Sequence, residues 1–384
     1  MKIEKNKKYL LSKENISSLV QILQKQKFKT IAPVVKDETI LYDEIQSIDE
    51  LPIGMTDVHK AGSYSLKKRK DKALFGYNVG PQSCKKFLFP PKLTLLQTKK
   101  IDGKVTVIKS SDPVEKLALI GIKPCELSAI LVQDKIFIEG DYVDSYYKQQ
   151  RDNLFIVTTN CTETAYSCFC DSMKTGPEAT KGFDLAVTEL IDGKNHRFVI
   201  KTGSAAGVKV LSNIEGIALA PDDALALEEA KISSAKNKMG RSISTENLKE
   251  LLLDNLNHPY WAEIQERCVS CGNCTMVCPT CFCSDILDET SLSGEDSKRT
   301  RLWDSCFSKD YSYIHGGVVR ASIKSRYRQW LTHKFASWVD QFDTFGCVGC
   351  GRCIVWCPVG IDVTEEINAI EQDVEKMKPV EVEA

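Results

Sequence analysis

The sequence predicts an α+β protein: an N-terminal mixed α/β domain over residues 1–222, an all-helical module over 223–370 and a charged tail over 371–384. Three observations predict it. Two continuous apolar runs, Leu117–Ile122 and Leu154–Val157, are separated by helical segments, the pattern of strands buried on both faces of a sheet. From Asp222 onward the apolar residues recur at helical spacing. In that second half a cysteine run ending in proline occurs twice, with a long spacer from Pro279 to Phe345.

The elements follow in order. Residues 13–27 put Ile16, Leu19, Val20 and Leu23 on one helical face, and Lys29 to Val35 read as a strand. Glycine and proline punctuate the chain from Gly62 to Pro91. Leu93–Gln97 and Lys104–Ile108 flank Asp102-Gly103, and Phe183–Leu190 and Arg197–Lys201 flank Asp192-Gly193; each is a hairpin signal. Pro124 fits the first position of a helix that runs through about Val132, and a second helix is expected near 143–151. Ala224, Leu225, Leu227, Ala230 and Ile232 make a helix that Gly240 stops. Ser244 or Thr245 caps the next, with Leu248, Leu251, Leu252 and Leu256 on its face, and Asn257-His258-Pro259 ends it. Residues 317–341, with Trp330, Phe335 and Trp338, read helical.

Charge and composition narrow the function classes. A net charge of −1 implies neither a nucleic-acid nor a membrane-surface partner, and Lys67-Lys68-Arg69-Lys70 reads as a solvated loop. The N-terminal residues lack the apolar core of a signal peptide, and no apolar run reaches membrane length, so a cytosolic protein without a membrane span is expected. In that compartment 16 cysteines are better read as metal ligands than as disulfides. The five histidines are scattered, so sulfur rather than imidazole carries the metal chemistry.

The two cysteine runs are Cys268-x2-Cys271-x2-Cys274-x3-Cys278-Pro279 and Cys347-x2-Cys350-x2-Cys353-x3-Cys357-Pro358. This is the spacing of [4Fe–4S] ligation, in which the fourth cysteine of each run serves the other cluster. It assigns Cys268, Cys271, Cys274 and Cys357 to one cluster, and Cys347, Cys350, Cys353 and Cys278 to a second. Structural zinc is the plainer alternative, but zinc sites use paired C-x2-C units without the third cysteine or the C-P ending. Gly349 and Gly351 let the backbone approach a cluster closely. With helices around both runs, about 245–365 read as a helical ferredoxin module rather than a short β-hairpin ferredoxin.

Cys125 and Cys161 each follow a predicted buried strand, where parallel sheets bind ligands. With Cys168 and Cys170 they supply four thiolates for a third cluster; four inert buried thiols are the plainer reading. Cys281, Cys283 and Cys306 lack an obvious fourth ligand and read as neighbours that tune a cluster. Cys84 reads as a bland thiol, His315 as a turn residue, and Arg352 and Trp356 as surface and packing residues. Arg320, Arg326 and Arg328 offset cluster charge or form a solvated face. No G-x-G-x-x-G, P-loop or Ser/His/Asp spacing is present, so no catalytic residue is assigned.

Together, Gly121-Ile-Lys-Pro-Cys125-Glu, Asn160-Cys161, Cys168-Phe-Cys170, the first run with its Cys278-Pro-Thr-Cys281-Phe-Cys283 extension, Trp303-Asp-Ser-Cys306 and the second run resemble one family. This is the group of sulfhydrogenase-type [NiFe] hydrogenase β subunits, to which an iron–sulfur component of anaerobic sulfite reductase also belongs, and the resemblance spans about residues 29 to 370. It implies an electron-transfer subunit of a soluble oxidoreductase complex. FAD and NAD(P)H would sit on a partner subunit, and a [NiFe] hydrogenase or sirohaem sulfite reductase would be the catalytic partner. Cys125, Cys161, Cys168 and Cys170 match family positions; Glu126 stands where Asp is more familiar. The alternatives are an iron–sulfur enzyme with its own thiol or sulfur-reducing site near Cys281, Cys283 and Cys306, and a zinc-stabilised interaction protein.

Overall fold

In the computed structural model, which describes residues 2–108, 114–193 and 195–377, the N-terminal half is built on a mixed sheet. Its strands, in chain order among the others, are β1 (Lys8–Ser12), β2 (Lys29–Lys36) and β3 (Thr39–Glu44); β4 (Met55–Lys60) and β5 (Ser63–Lys68) form a separate hairpin. After β6 (Lys92–Ile101) and β7 (Lys104–Ile108) come β8 (Leu117–Ile122), β9 (Leu154–Thr159), β10 (Leu185–Asp192), β11 (Asn195–Thr202) and the short β12 (Ala218–Leu219). The sheet order is β12-β1-β11-β10-β9-β8-β2-β3. The inner pairings β10·β9, β8·β9 and β2·β8 are parallel, and the outer ones are antiparallel.

The apolar runs explain the centre of this sheet. All six residues of β8 are buried. Ala118 and Ile120 join the core formed with the helix Ser17–Lys25, whereas Leu117 and Leu119 join the core formed with the helix Pro124–Phe137. Alternation along a strand covered on both faces thus appears in sequence as one uninterrupted hydrophobic run. The carboxyl ends of β8 and β9 lie side by side, because Ile122 registers with Thr158. Cys125 and Cys161 therefore leave adjacent strand ends. Both expected hairpins form, β6 with β7 and β10 with β11.

The second half is not all-helical. Its spacer folds into a hairpin, β13 (Ser284–Thr290) and β14 (Asp296–Trp303), and β14 pairs with β6 to give a four-stranded sheet β13-β14-β6-β7. A smaller hairpin, Tyr313–Ile314 with Gly317–Val318, turns at His315 and Gly316. The expectation failed for a physical reason: Ser284–Trp303 is dense in charge, with Ile286 and Leu287 largely exposed on successive positions, so it shows no apolar face. Its order comes from pairing with a distant strand. The segment expected to be one helix over 317–341 starts at Ile323, and residues 333–337 form a π-helical turn before Trp338–Phe342.

Helices Leu248–Asp254, Tyr260–Arg267, Ile323–Thr332 and Val363–Met377 surround the cysteine runs, with Trp261, Trp330, Phe335 and Ile367 at the core. The last of these helices continues past Glu371, where a charged tail is expected to begin; residues 378–384 lie outside the described residues.

Candidate iron–sulfur site

The two runs adopt the same local geometry. In each, the residue before the second cysteine is left-handed, Ser270 (φ 55) and Gly349 (φ 63), and so is the glycine after it, Gly272 (φ 76) and Gly351 (φ 74). In each, the left-handed N–H donates to the first cysteine's sulfur: Ser270 to Cys268 Sγ and Gly349 to Cys347 Sγ, both 3.4 Å. A one-turn helix follows, Asn273–Met276 or Arg352–Val355, and these two helices pack together. The chain folds back at each run, and in the first run this brings Cys268, Cys271 and Cys274 to one cavity.

The first set gathers across the runs. Cys268, Cys271, Cys274 and Cys357 line one cavity, walled by Phe307, Tyr327, Trp330 and Ile361, and Cys353 reaches it as well. The Ile361 N–H donates to Cys357 Sγ at 3.3 Å. Cys278 lies with the other run: burial pushes the Cys347 and Cys353 thiols up, and the charge of Cys278 adds to the effect on both.

Cys125, Cys161, Cys168 and Cys170 are all buried. The structure brings them together in one cavity with Lys123, Pro124 and Pro177, and Cys350 of the second run lines the same cavity. Burial pushes all four of these thiols up. Bare, they are protonated; a coordinating metal deprotonates a thiol outright. Among the described residues, no three His, Cys, Asp or Glu side chains converge as a site for one metal ion. A zinc site with Zn–S bonds of about 2.3 Å draws its four sulfurs tightly around a single atom. The thiols instead stand around cavities, an arrangement that fits a multi-iron cluster.

Two glycines make the junction between the thiol loop and the second run. A Cβ on Gly349 would lie 2.6 Å from the Cys170 backbone, and one on Gly351 2.4 Å from the Ser167 carbonyl oxygen. Across this contact the Phe169 N–H donates to the Gly349 carbonyl (2.9 Å) and the Thr175 hydroxyl to the Val348 carbonyl (2.7 Å). The glycines were expected to face a cluster; the structure places them against the N-terminal loop.

Cys281 lies beside Cys278 of the second set, whereas Cys306, paired with Cys283, lies near Cys274 of the first. The Cys281 thiol hydrogen-bonds Cys278 and holds it well below the ordinary thiol range, against the opposing effect of burial. Cys283 falls to about 6, chiefly through its hydrogen bond from Cys306, with burial opposing and Tyr311 assisting; Cys306 is raised in turn. Cys84 is buried, and its N–H donates to Glu126. Arg326 is buried, Arg328 donates to the Leu256 carbonyl, and Arg320 is partly exposed.

Several site residues escaped the sequence reading. Arg352, expected among surface and packing residues, is fully buried in an ion pair with Glu126 and also donates to the Gly80 carbonyl (2.8 Å). Lys334 and Lys85 are buried beside Cys281. Buried Asp57, His59 and Ser167 form a chain, with His59 Nε2 2.6 Å from Asp57 and Nδ1 2.9 Å from Ser167 Oγ. Asp57 also accepts from the Asn78 N–H at 2.8 Å, and Ser167 abuts Gly351. The chain braces the loop that carries Cys168. Only Lys334 left a trace in sequence, as a charge within the apolar stripe Leu331, Phe335 and Trp338. Trp356 packs as expected, its ring 5.2 Å from that of Tyr64.

These features define an iron–sulfur protein: residues 267–361 match the 4Fe-4S dicluster domain family, and a dicluster domain so rich in cysteine implies two [4Fe–4S] clusters. The chain is 29% identical over 349 residues to sulfhydrogenase 2 subunit beta of Pyrococcus furiosus, covering 90% of this chain and 92% of the relative. The likeness to the sulfhydrogenase β subunit thus runs along almost the whole length of both chains. No helix among the described residues is long and apolar enough to cross a membrane.

Proposed function

We propose that this chain is a non-catalytic electron relay in a soluble, cytoplasmic multi-subunit oxidoreductase. It would connect a flavin subunit that uses NAD(P)H to a catalytic partner, either a [NiFe] hydrogenase or a sirohaem sulfite reductase. Cys268, Cys271, Cys274 and Cys357 would hold one [4Fe–4S] cluster and Cys347, Cys350, Cys353 and Cys278 the second. Cys125, Cys161, Cys168 and Cys170 would hold a third. When bound, each cluster supplies one-electron chemistry at a potential that its surroundings set.

The observation that carries this reading is the serial contact of the three thiol sets. Cys350 lines the N-terminal cavity as well as belonging to the second set, and Cys353 reaches the cavity of the first. The first set also opens to the surface: Cys271 is exposed, and Val269, Met276 and Val359 beside it are exposed apolar residues. A buried thiol set at one end and an exposed one at the other suit a relay that hands electrons to a docked partner. Tagged chain isolated from its native host tests this. Clusters reduced by NADH or NADPH only within the isolated complex support it, and sulfur or disulfide reduction by the chain alone would sink it.

A further inference from the structure

Lys334 sits where the two halves of the second thiol set meet. Its ammonium has four acceptors: Cys278 Sγ (3.4 Å), Cys281 Sγ (3.5 Å), Thr280 Oγ1 (3.3 Å) and the Gly346 carbonyl (2.8 Å). Cys278 is the member of the set contributed by the first run, and Gly346 directly precedes Cys347 of the second. The backbone closes the same joint, since the Gly346 N–H donates to the Lys334 carbonyl at 2.7 Å. The π-helical turn at 333–337 carries this lysine within an otherwise apolar helix face; such turns often mark functional positions.

A second buried cation stands at Cys281. Lys85 donates to the Cys281 carbonyl (2.9 Å), and its ammonium lies 3.8 Å from the centre of the Trp303 ring. Among the described residues neither lysine pairs with a carboxylate, whereas Arg352, another buried cation near this set, is matched by Glu126. Isolated buried cations are costly. Among the described residues, the Cys278 and Cys281 sulfurs that Lys334 reaches are the groups placed to balance its charge, and Lys85 stands beside the second of them through the Cys281 carbonyl.

We propose that Lys334, seconded by Lys85, sets the reduction potential of the second cluster, holding it higher than its four thiolates alone would. An added electron is stabilised by a fixed positive charge and by N–H donation to a ligand sulfur, the two levers that raise a cluster's potential. Lys334 supplies both, and Lys85 supplies the field alone. This rests on the ligand assignment proposed above for Cys278, Cys347, Cys350 and Cys353.

The test is an EPR-monitored potentiometric titration of anaerobically purified full-length chain, with the second cluster's wave identified as the one that Cys278→Ser alters and Cys271→Ser does not. Lys334→Met should move that wave alone to lower potential, Lys334→Arg should leave it near the unmodified value, and Lys85→Met should lower it by less. Should Lys334→Met fail to load its iron, Lys85→Met decides. An unmoved wave in Lys85→Met or in loaded Lys334→Met, or equal shifts in all waves, overturns the proposal. A Cys278→Ser that alters no wave, or the same wave as Cys271→Ser, refutes the ligand assignment instead.

Discussion

Replacing Gly349 with serine tests how the second run joins the N-terminal loop. The equivalent position in the first run already holds Ser270 at φ 55, so the run itself accepts a side chain there. What differs is the neighbour. At Gly349 a Cβ would lie 2.6 Å from backbone atoms of Phe169 and Cys170, which cannot swing away as a side-chain tip can. Left-handed strain adds about 1–2 kcal/mol, and overpacking against backbone about 1–3 kcal/mol. Gly349→Ser should therefore cost about 2–5 kcal/mol. Ser270→Gly relieves left-handed strain but gives up the hydrogen bond from the Ser270 hydroxyl to the Phe307 carbonyl (3.3 Å); these terms oppose each other at about 1 kcal/mol each, so the variant should stay within about 1 kcal/mol of the parent. Anaerobic denaturant titration, followed by tryptophan fluorescence, measures both. A Gly349→Ser protein as stable as Ser270→Gly would refute the close approach.

Three further outcomes are expected. Arg352→Met strands the Glu126 carboxylate and should cost about 3–5 kcal/mol, whereas Arg352→Met with Glu126→Gln should recover part of it, because breaking a buried pair costs more than replacing it; the same titration reads this. Cys283 should be alkylated by iodoacetamide at a rate that climbs as pH rises through about 6, the value to which Cys306 and Tyr311 lower it; peptide mass analysis showing a climb only near about 8.5, the ordinary thiol value, would contradict it. Trp303→Leu removes the ring beneath Lys85 and should cost about 0.5–2 kcal/mol from the cation–π contact, on top of lost packing; stability unchanged from the parent would count against that contact.

Sequence legibility followed locality. Leu117–Ile122 and Leu154–Val157 announced buried parallel strands because both faces of each are covered. Asp102-Gly103 and Asp192-Gly193 announced turns because those residues tolerate the backbone a turn demands. The cysteine spacing carried the repeated turn geometry, since it lies within a dozen residues of chain. By contrast β13 and β14 acquire their order from β6 and carry no apolar face of their own. The Arg352–Glu126 pair, the Asp57–His59–Ser167 chain and the buried Lys85 depend on contacts between segments far apart, which no local pattern encodes. Cys125, Cys161, Cys168 and Cys170 fall between these cases: the strand ends were legible, and the company of Cys350 was not.

The central claim is that all three thiol sets form one electron path. Iron and acid-labile sulfide per chain, measured on anaerobically purified protein together with a Cys161→Ser variant, test it most directly. The relay predicts about twelve irons in the parent, for three cubanes, and about eight in the variant, with the two remaining clusters still visible by EPR. About eight irons in both proteins would contradict it, leaving Cys125, Cys161, Cys168 and Cys170 as plain buried thiols.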